Sequence, residues 1–347
     1  MRVSVAIICL FLGTALLGCI DPYDPQLVGG ERYLVFDGVL TDAPGPYHFS
    51  VAQSVGYNSD ESVFDQRMTG ASISITDDKG TVTRFVDEGK GSYGSPAGFR
   101  GQVGRSYALT VNYRGQTYRS EPELMQPVPA IDSVYWTYQS KITAGASTPG
   151  NFAVYINLTD SADAENYYQW DWVHYNQPDF CVLFTPNGSN VTYAKRCCTD
   201  CWNVTRSNGD ILIASDQLIN GNRLAGQVIA RVPYDDTTPY YLAIGQQSLS
   251  RGAYQYWQTV QALTGNVGSV FDATPATLTG NISNVNVNGP PMPGYFQVSA
   301  RKQRIVYINR SGAPTQPFAK TTYPVWNTCE PCTESLYRTG KQPEGWR

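Results

Sequence analysis

A cysteine near the start of the chain has the setting of a residue that is chemically modified. Cys19 follows the sequence LLG, and an apolar run over residues 3–17 stands behind the positive charge of Arg2. The run is too short and wrongly flanked for a membrane-spanning helix, but it is typical of a cleaved signal. We therefore predict a lipoprotein signal peptide over residues 1–18 and acyl chains such as palmitate on Cys19. An ordinary secretory signal with a chance cysteine is the alternative.

Six further cysteines remain in the predicted mature chain: Cys181, Cys197, Cys198, Cys201, Cys329 and Cys332. An even number of cysteines in an exported chain indicates disulfides, although six allow fifteen pairings. The two Cys-x-x-Cys spacings also fit a four-thiolate zinc site. Because thiols outside the inner membrane become oxidised, we favour disulfides and expect no metal. A thioredoxin-like redox role is disfavoured, since neither pair has the strand and helix context for it. The C-terminus is then pinned near residue 200 or closed on itself.

Side chains for acid–base catalysis are scarce. The chain has two histidines, His48 and His174, and each lies in a strand-like run without a partner motif. A serine-hydrolase elbow, a clustered-histidine zinc motif and a phosphate-binding loop are all absent from the sequence. A glycoside hydrolase needs only two carboxylates, so this class stays open as an alternative. We expect a protein that is not an enzyme and has no cofactor.

Aromatic residues are concentrated in one predicted strand, YYQWDWVHY, over residues 167–175. Alternation along a strand places Tyr168, Trp170, Trp172 and His174 on the same face. Planar rings bind the apolar face of a sugar well, so the three larger aromatic residues are candidates for ligand stacking. The alternative, which we favour, is that this face packs into the core.

The composition predicts an all-β fold, mainly β with one or two short helices. The chain is rich in Tyr (24), Gly (32) and Pro (22), residues that favour strands and the turns between them. Its net charge is −4, and it has no basic run, so we expect no nucleic-acid partner.

Two domains are predicted after a Pro/Gly-rich lipidated tether over residues 19–30. Residues 31–125 contain short alternating runs such as ASISIT, followed by the hairpin turn DDKG, and indicate an immunoglobulin-like β-sandwich. The proline-rich sequence EPELMQPVPA marks the boundary. Residues 126–347 predict a larger β-rich domain with a helix near 251–263, capped by Ser248 or Ser250, and a cysteine-containing C-terminus.

The order of several motifs resembles an envelope-lipoprotein family of the Bacteroidota, domain of unknown function 4249. The resemblance covers nearly all of the mature chain. It is carried by CIDPYDP, LVFDGVLTDAPGPYHFSVAQS, GASISITDDKG, GSYGSPAGFRGQVGRSYALTV, PVPAIDSVYW, SLSRGAYQYWQTV, GSVFDATPATLTGNISN, GYFQVSA and CEPCTESLYRTGKQPEGW.

The resemblance implies a β-rich, disulfide-containing lipoprotein anchored in the outer membrane, with the cell surface as the expected face. It also implies a TonB-dependent outer-membrane barrel as partner and no established catalytic residues. Tyr254, Tyr256 and Trp257 would pack the helix, and Phe271, Asp272 and Pro275 would shape the loop after it. We therefore expect a non-catalytic accessory or binding subunit of such a transporter. An independent surface lipoprotein that binds glycans, or another adhesive ligand such as a peptide, is the alternative.

Overall fold

The computed structural model describes residues 32–55, 66–143, 146–161, 165–207, 209–217, 221–265, 278–286, 288–317 and 320–347. Within these ranges the protein is mainly β with one helix, which confirms the predicted fold class. The predicted signal peptide, the tether with Cys19, and the loop residues Phe271, Asp272 and Pro275 lie outside the described residues.

The elements are β1 (Leu34–Asp37), β2 (Val39–Thr41), β3 (His48–Gln53), β4 (Ser72–Asp77), β5 (Val82–Arg84), β6 (Val86–Gly89), β7 (Ser92–Gly94), β8 (Ser106–Tyr113), β9 (Gln116–Ser120), β10 (Glu123–Leu124), β11 (Ser133–Thr143), β12 (Ala146–Thr159), β13 (Tyr167–Asn176), β14 (Val182–Phe184), β15 (Tyr193–Lys195), β16 (Trp202–Arg206), β17 (Leu212–Ser215), β18 (Arg223–Pro233), β19 (Tyr240–Leu249), α1 (Arg251–Gly265), β20 (Ile282–Asn284), β21 (Gln297–Ser299), β22 (Arg301–Ile308) and β23 (Arg338–Thr339).

The N-terminal strands form two sheets. One has the order β1-β3-β7-β6, and the other has the order β20-β9-β8-β4-β5 with β10 paired to β8. In β4 the predicted alternation is confirmed, because Ile73 and Ile75 are buried while their neighbours are not. Side chains at every second position of a strand share a face, so this pattern supplies one wall of a core.

The predicted hairpin turn follows β4 directly. The Asp77 carboxylate accepts hydrogen bonds from the backbone N–H of Lys79 at 3.0 Å and of Thr81 at 2.8 Å. Gly80 has a φ of 82°, a left-handed conformation that glycine adopts without a steric cost. The turn is therefore made by its own side chain and its glycine, as the sequence predicts.

The C-terminal strands form two larger sheets, with the orders β11-β12-β18 and β22-β19-β13-β16-β23, the latter with β17 also paired to β13. A separate two-stranded sheet pairs β14 with β15. All ten residues of β19 are buried, which is expected of a strand covered on both faces. Val154 of β12, Trp170 of β13 and Leu242 of β19 belong to one hydrophobic cluster. The two sheets thus enclose a common core.

The two groups of sheets are joined by strands that come late in the sequence. β20 extends the N-terminal sheet by pairing with β9, and β21 pairs in parallel with β2. The hydrophobic cluster that contains Phe36 and Phe49 also contains Trp170 and Leu242. Late strands of the chain therefore pair with strands that precede the boundary predicted at residue 125. The position of that boundary stays a prediction.

The helix α1 confirms the element predicted near residues 251–263. The Ser250 hydroxyl accepts the backbone N–H of Ala253 at 3.1 Å, so Ser250 is the N-cap. Ala253 is buried against Tyr167 and Leu249. Among the described residues, no helix has the length and apolar character needed to cross a membrane.

Candidate ligand-binding cleft

A cleft of about 630 Å³ lies where β13 ends and β19 begins. Its walls come from three segments, residues 174–180, residues 235–240 and residues 338–346, with Arg310 and Lys320 at its side. These segments are far apart in the sequence and meet because antiparallel pairing brings the end of β13 beside the start of β19.

His174 lies in the cleft lining and is almost completely buried. Its Nδ1 is 2.7 Å from the carbonyl oxygen of Tyr241, and its ring stacks on Tyr240 with the ring centroids 3.5 Å apart. Burial lowers the pKa of His174 to about 4, because the charged imidazolium loses its solvation. The imidazole is therefore neutral at neutral pH. Since a carbonyl oxygen only accepts, Nδ1 carries the proton.

Arg310 fixes the wall formed by residues 235–240. Its guanidinium donates to the backbone oxygens of Pro233 at 2.8 Å and Thr238 at 2.9 Å, and to the Asp235 carboxylate at 2.6 Å. The Arg310 side chain is 4% exposed, so these bonds replace the water it loses. The positive charge of Arg310 is therefore compensated by these protein groups.

The sequence DDTTP explains why this wall turns where it does. The Asp236 carboxylate accepts the backbone N–H of Thr238 at 2.8 Å, an arrangement typical of Asp in turns. Lys320 forms an ion pair with the same carboxylate and lowers the pKa of Asp236 to about 2. Both acids of this wall are consequently ion-paired, Asp235 with Arg310 and Asp236 with Lys320.

Three disulfides tie together the segments around residues 181–201 and 329–332. They join Cys181 to Cys197, Cys198 to Cys329 and Cys201 to Cys332, with S–S distances of 2.05, 2.05 and 2.09 Å. The prediction of disulfides is confirmed. The two Cys-x-x-Cys pairs are joined to each other, so the C-terminus is pinned near residue 200, one of the two predicted arrangements.

The pinned C-terminal segment forms the third wall. Arg338 donates to the Asn203 side chain at 3.1 Å and to the backbone oxygen of Cys181 at 2.6 Å. Farther along, the Tyr241 hydroxyl donates to the backbone oxygen of Glu344 at 2.8 Å. Trp346 then packs edge-on against Trp202 with the ring centroids 6.1 Å apart. The disulfides therefore act on the cleft by holding this wall in place.

The remaining lining groups are suited to binding. Asn176, Gln177 and Asn203 offer amide donors and acceptors. Phe180 and Trp346 are partly buried aromatic residues of the lining, and Asp179 is an exposed acid in it. No serine or cysteine lines the cleft within the described residues. The cleft thus combines amides, aromatic rings and charged side chains, groups that are suited to a polar ligand.

Comparison with sequence families supplies the identity of the chain. The profile described as Domain of unknown function (DUF4249) matches residues 20–305. The chain belongs to the DUF4249 family. The matched range covers both groups of sheets and ends within β22, before Cys329, Cys332 and Trp346. Comparison with curated proteins and with solved structures found no match.

Two of the predicted stacking residues of this DUF4249 protein lie in its core. Tyr168 and Trp170 are each 2% exposed, and the Trp170 indole N–H donates to the Gln246 side chain at 2.9 Å. Neither ring has a free face for a ligand, so for these two residues the core alternative describes the structure. Trp172 is half-buried against the same core, and its role in ligand stacking stays a prediction.

The helix aromatics and His48 lie away from the cleft. Tyr254 packs on Tyr167 with the ring centroids 4.9 Å apart, and the Trp257 indole N–H donates to the Gln297 side chain at 2.7 Å. Tyr256 contacts the ring of Tyr295. His48 is exposed and bonds Glu88 at 2.9 Å. Of the two histidines, the structure therefore brings only His174 into the cleft.

Sequence reasoning did not find the cleft, because its lining residues form no local motif. Gln177, Asp236 and Trp346 come from segments separated by up to 169 positions. One signal was the terminal Cys-x-x-Cys, from which the C-terminus was expected either near residue 200 or closed on itself. The DDTTP turn was a second signal, since Asp and Pro at these positions fix a loop that borders a strand.

Proposed function

We propose that this DUF4249 protein is a lipid-anchored, non-catalytic subunit of a TonB-dependent outer-membrane transporter, and that the cleft captures a nutrient for the barrel. The signal sequence with Cys19 supports an anchor on the outer membrane, with the cell surface as the proposed face. The family resemblance supports the barrel as partner. A fixed cleft on an anchored protein can raise the local concentration of a ligand at the barrel entrance.

The observation that carries the proposal is the electrostatic state of the cleft. Asp235 and Asp236 are both ion-paired, and His174 is neutral and bonded to a backbone oxygen. A glycoside hydrolase needs two carboxyl groups in different protonation states facing the bond to be cleaved. Asp236 is held ionised by Lys320 and Asp235 is paired with Arg310, so Asp179 is the one lining carboxyl outside an ion pair among the described residues. Hydrolysis needs two such groups, so the cleft is better equipped to bind than to hydrolyse.

The decisive experiment is affinity purification of the native lipoprotein from outer membranes in a mild detergent, followed by mass spectrometry. A TonB-dependent barrel present in stoichiometric amount would support the proposal. A Cys19→Ser variant is the matched control for anchoring, since it should leave the membrane fraction and lose the barrel. Recovery of the wild-type lipoprotein alone, under conditions that keep transporter complexes intact, would contradict the proposal.

An independent glycan-binding lipoprotein is the second candidate, and Trp346 beside three amides favours it. Isothermal titration of the purified protein with soluble glycans tests this candidate. A Trp346→Ala variant with an unchanged melting temperature should bind about tenfold more weakly, the loss expected for one aromatic contact. Trp326→Ala, at a half-exposed tryptophan outside the cleft, is the control and should bind normally. Binding that survives Trp346→Ala would remove the cleft from consideration.

A further inference from the structure

A small three-stranded lobe lies beside the cleft and is separate from the two larger C-terminal sheets. It consists of β14, β15 and residues 324–326, which are joined to Ala194 of β15 by backbone hydrogen bonds of 2.8 and 2.9 Å. The disulfides of Cys197 and Cys198 lie just beyond the end of β15. The shape of the lobe is therefore held by covalent bonds as well as by strand pairing.

Apolar side chains are exposed on both faces of this lobe. Val182 and Leu183 are neighbours in β14 and therefore lie on opposite faces, yet they are 37% and 39% exposed. Val325, which is paired with Ala194, is 55% exposed. A sheet normally covers at least one of its faces with other elements of its own chain. An exposed apolar side chain on each face therefore indicates a contact that is made outside this chain.

One face of the lobe carries three aromatic rings in mutual contact. The ring centroids of Phe184, Tyr193 and Trp326 are 4.9 to 6.2 Å apart, and each of the three side chains is partly exposed. The Lys195 ammonium lies 5.2 Å from the centroid of the Phe184 ring and is paired with Glu330 at 3.1 Å, so its charge is compensated within the lobe. Rings that are already held in place lose little entropy on binding, and Trp and Tyr are the residues that contribute most to protein–protein interfaces.

The lobe is continuous with the cleft. Phe180 of the cleft lining packs edge-on against Tyr323, the residue before the third segment of the lobe, with the ring centroids 5.8 Å apart. A partner bound to the lobe would therefore stand next to the opening of the cleft, where a ligand enters and leaves.

The predicted lipid attaches at the opposite end of the fold. β2 runs parallel to β21, and β22 follows β21 after one residue and continues to the cleft, where Ile308 pairs with Tyr240. At about 3.3 Å per residue, these strands separate Arg32 from the cleft by about 50 Å. Arg32 comes 13 positions after Cys19, a span of at most about 45 Å. The lobe thus stands away from the lipid, which favours a protein that rises from the membrane, and not the bilayer, as its occupant.

We propose that the lobe is the surface through which the protein docks on the extramembrane loops of its barrel partner, so that the cleft opens beside the barrel entrance. This inference rests on the proposed function, from which it takes the partner. Tyr193 and Trp326 would form the centre of the contact. The exposed aliphatic residues Val182, Leu183 and Val325 would exclude water around it.

The test compares variants of the full lipoprotein in the mild-detergent purification, with the barrel quantified relative to the lipoprotein by mass spectrometry. Val325→Glu changes an exposed position, so the variant should fold normally and recover the barrel about tenfold less well, because a charge would be buried in the contact. Val285→Glu, at a 57% exposed valine that directly follows β20, is the matched control and should recover the wild-type amount. Trp326→Ala, with its disulfides verified by mass spectrometry, should show the same loss as Val325→Glu.

The outcomes separate the docking surface from the proposed function. If the wild type recovers the barrel and the Val325→Glu and Trp326→Ala variants recover as much, the lobe is not the docking surface, while the proposed function stands. If the wild type recovers no barrel, the proposed function fails and the docking surface fails with it. A Cys19→Ser protein that binds vesicles of phosphatidylethanolamine and phosphatidylglycerol, or that forms dimers, and that loses this property with Val325→Glu would also overturn the proposal, because a lipid surface or a second copy would then be the occupant.

Discussion

The protonation of His174 connects a single buried side chain with the stability of the protein. Its pKa in the folded state is about 4, against 6.5 for the free side chain. Between these values the unfolded chain binds a proton that the folded chain does not, so stability falls as the pH falls from 6.5 to 4. The shift corresponds to about 3 kcal/mol at its full extent.

A His174→Asn variant isolates this effect. The Asn side chain can keep a donor near the Tyr241 carbonyl but does not titrate, so its free energy of unfolding should lack the loss between pH 6.5 and 4. Urea unfolding at several pH values measures the difference between the two proteins. His48→Asn, at the exposed second histidine, should retain the wild-type dependence. Parallel curves for wild type and His174→Asn would mean that the imidazole titrates normally in the folded protein.

At the scale of single residues, the chemical role of a side chain was easier to predict from the sequence than the residues that it contacts. The six cysteines were predicted to form disulfides from their even number and from the expected export of the chain. Their pairing, and the contact of His174 with Tyr240, depend on strand neighbours separated by many residues. Tyr168 and Trp170 show the same limit, since alternation assigns a face to a side chain but not the layer that covers it.

At the scale of elements, strands with regular alternation or clear turns were predicted well. The alternating run ASISIT is found as β4, and α1 lies where the helix was predicted from its 3.6-residue spacing. Short strands such as β7, β20 and β23 were missed. Each has only two or three residues, too few to show a period, and each forms because a longer strand or a disulfide lies beside it.

The junction between the sheets offers a test at this scale. A Cβ on Gly280 would lie 1.6 Å from the backbone oxygen of Gly294, just before β20 and β21 join their different partners. Because backbone must move to relieve such an overlap, Gly280→Ala should destabilise the protein by roughly 2 kcal/mol or more. Chemical denaturation measures this loss.

Gly312→Ala is the matched control, since Gly312 is exposed and a Cβ there would meet nothing within 4 Å. Its free energy of unfolding should stay within about 0.5 kcal/mol of the wild type. Equal stability of the two variants would show that the segments at Gly280 and Gly294 can separate at little cost, and that the junction is not closely packed.

At the scale of the whole molecule, the predicted all-β class is confirmed, but its connectivity was not accessible from the sequence. The parallel pairing of β2 with β21 joins residues more than 250 positions apart, and β20 completes a sheet of the other group. No local pattern encodes such pairings, because they depend on which edges are left open after the longer strands have paired. The continuous core follows from these late strands.

The two disulfides that pin the C-terminus predict strongly non-additive effects on the stability of the whole molecule. Cys198–Cys329 and Cys201–Cys332 each span 131 residues, and they lie three positions apart at both ends. In the chain-entropy account, a bridge over about 100 residues stabilises by about 4 to 5 kcal/mol by restricting the unfolded chain. When one bridge is present the other closes only a small additional loop.

Replacing both cysteines of either bridge with serine should therefore cost only about 2 kcal/mol, whereas replacing all four should cost about 7 kcal/mol. Urea unfolding under non-reducing conditions measures the three variants. Removing Cys181–Cys197, which spans 16 residues, is the control for a bridge without a duplicate. Its whole contribution to the free energy of unfolding should be lost in that one variant. If each long bridge alone costs as much as both together, local packing around the sulfurs and not the loop determines the stability. The cleft wall at Trp346 would then depend on each bridge separately.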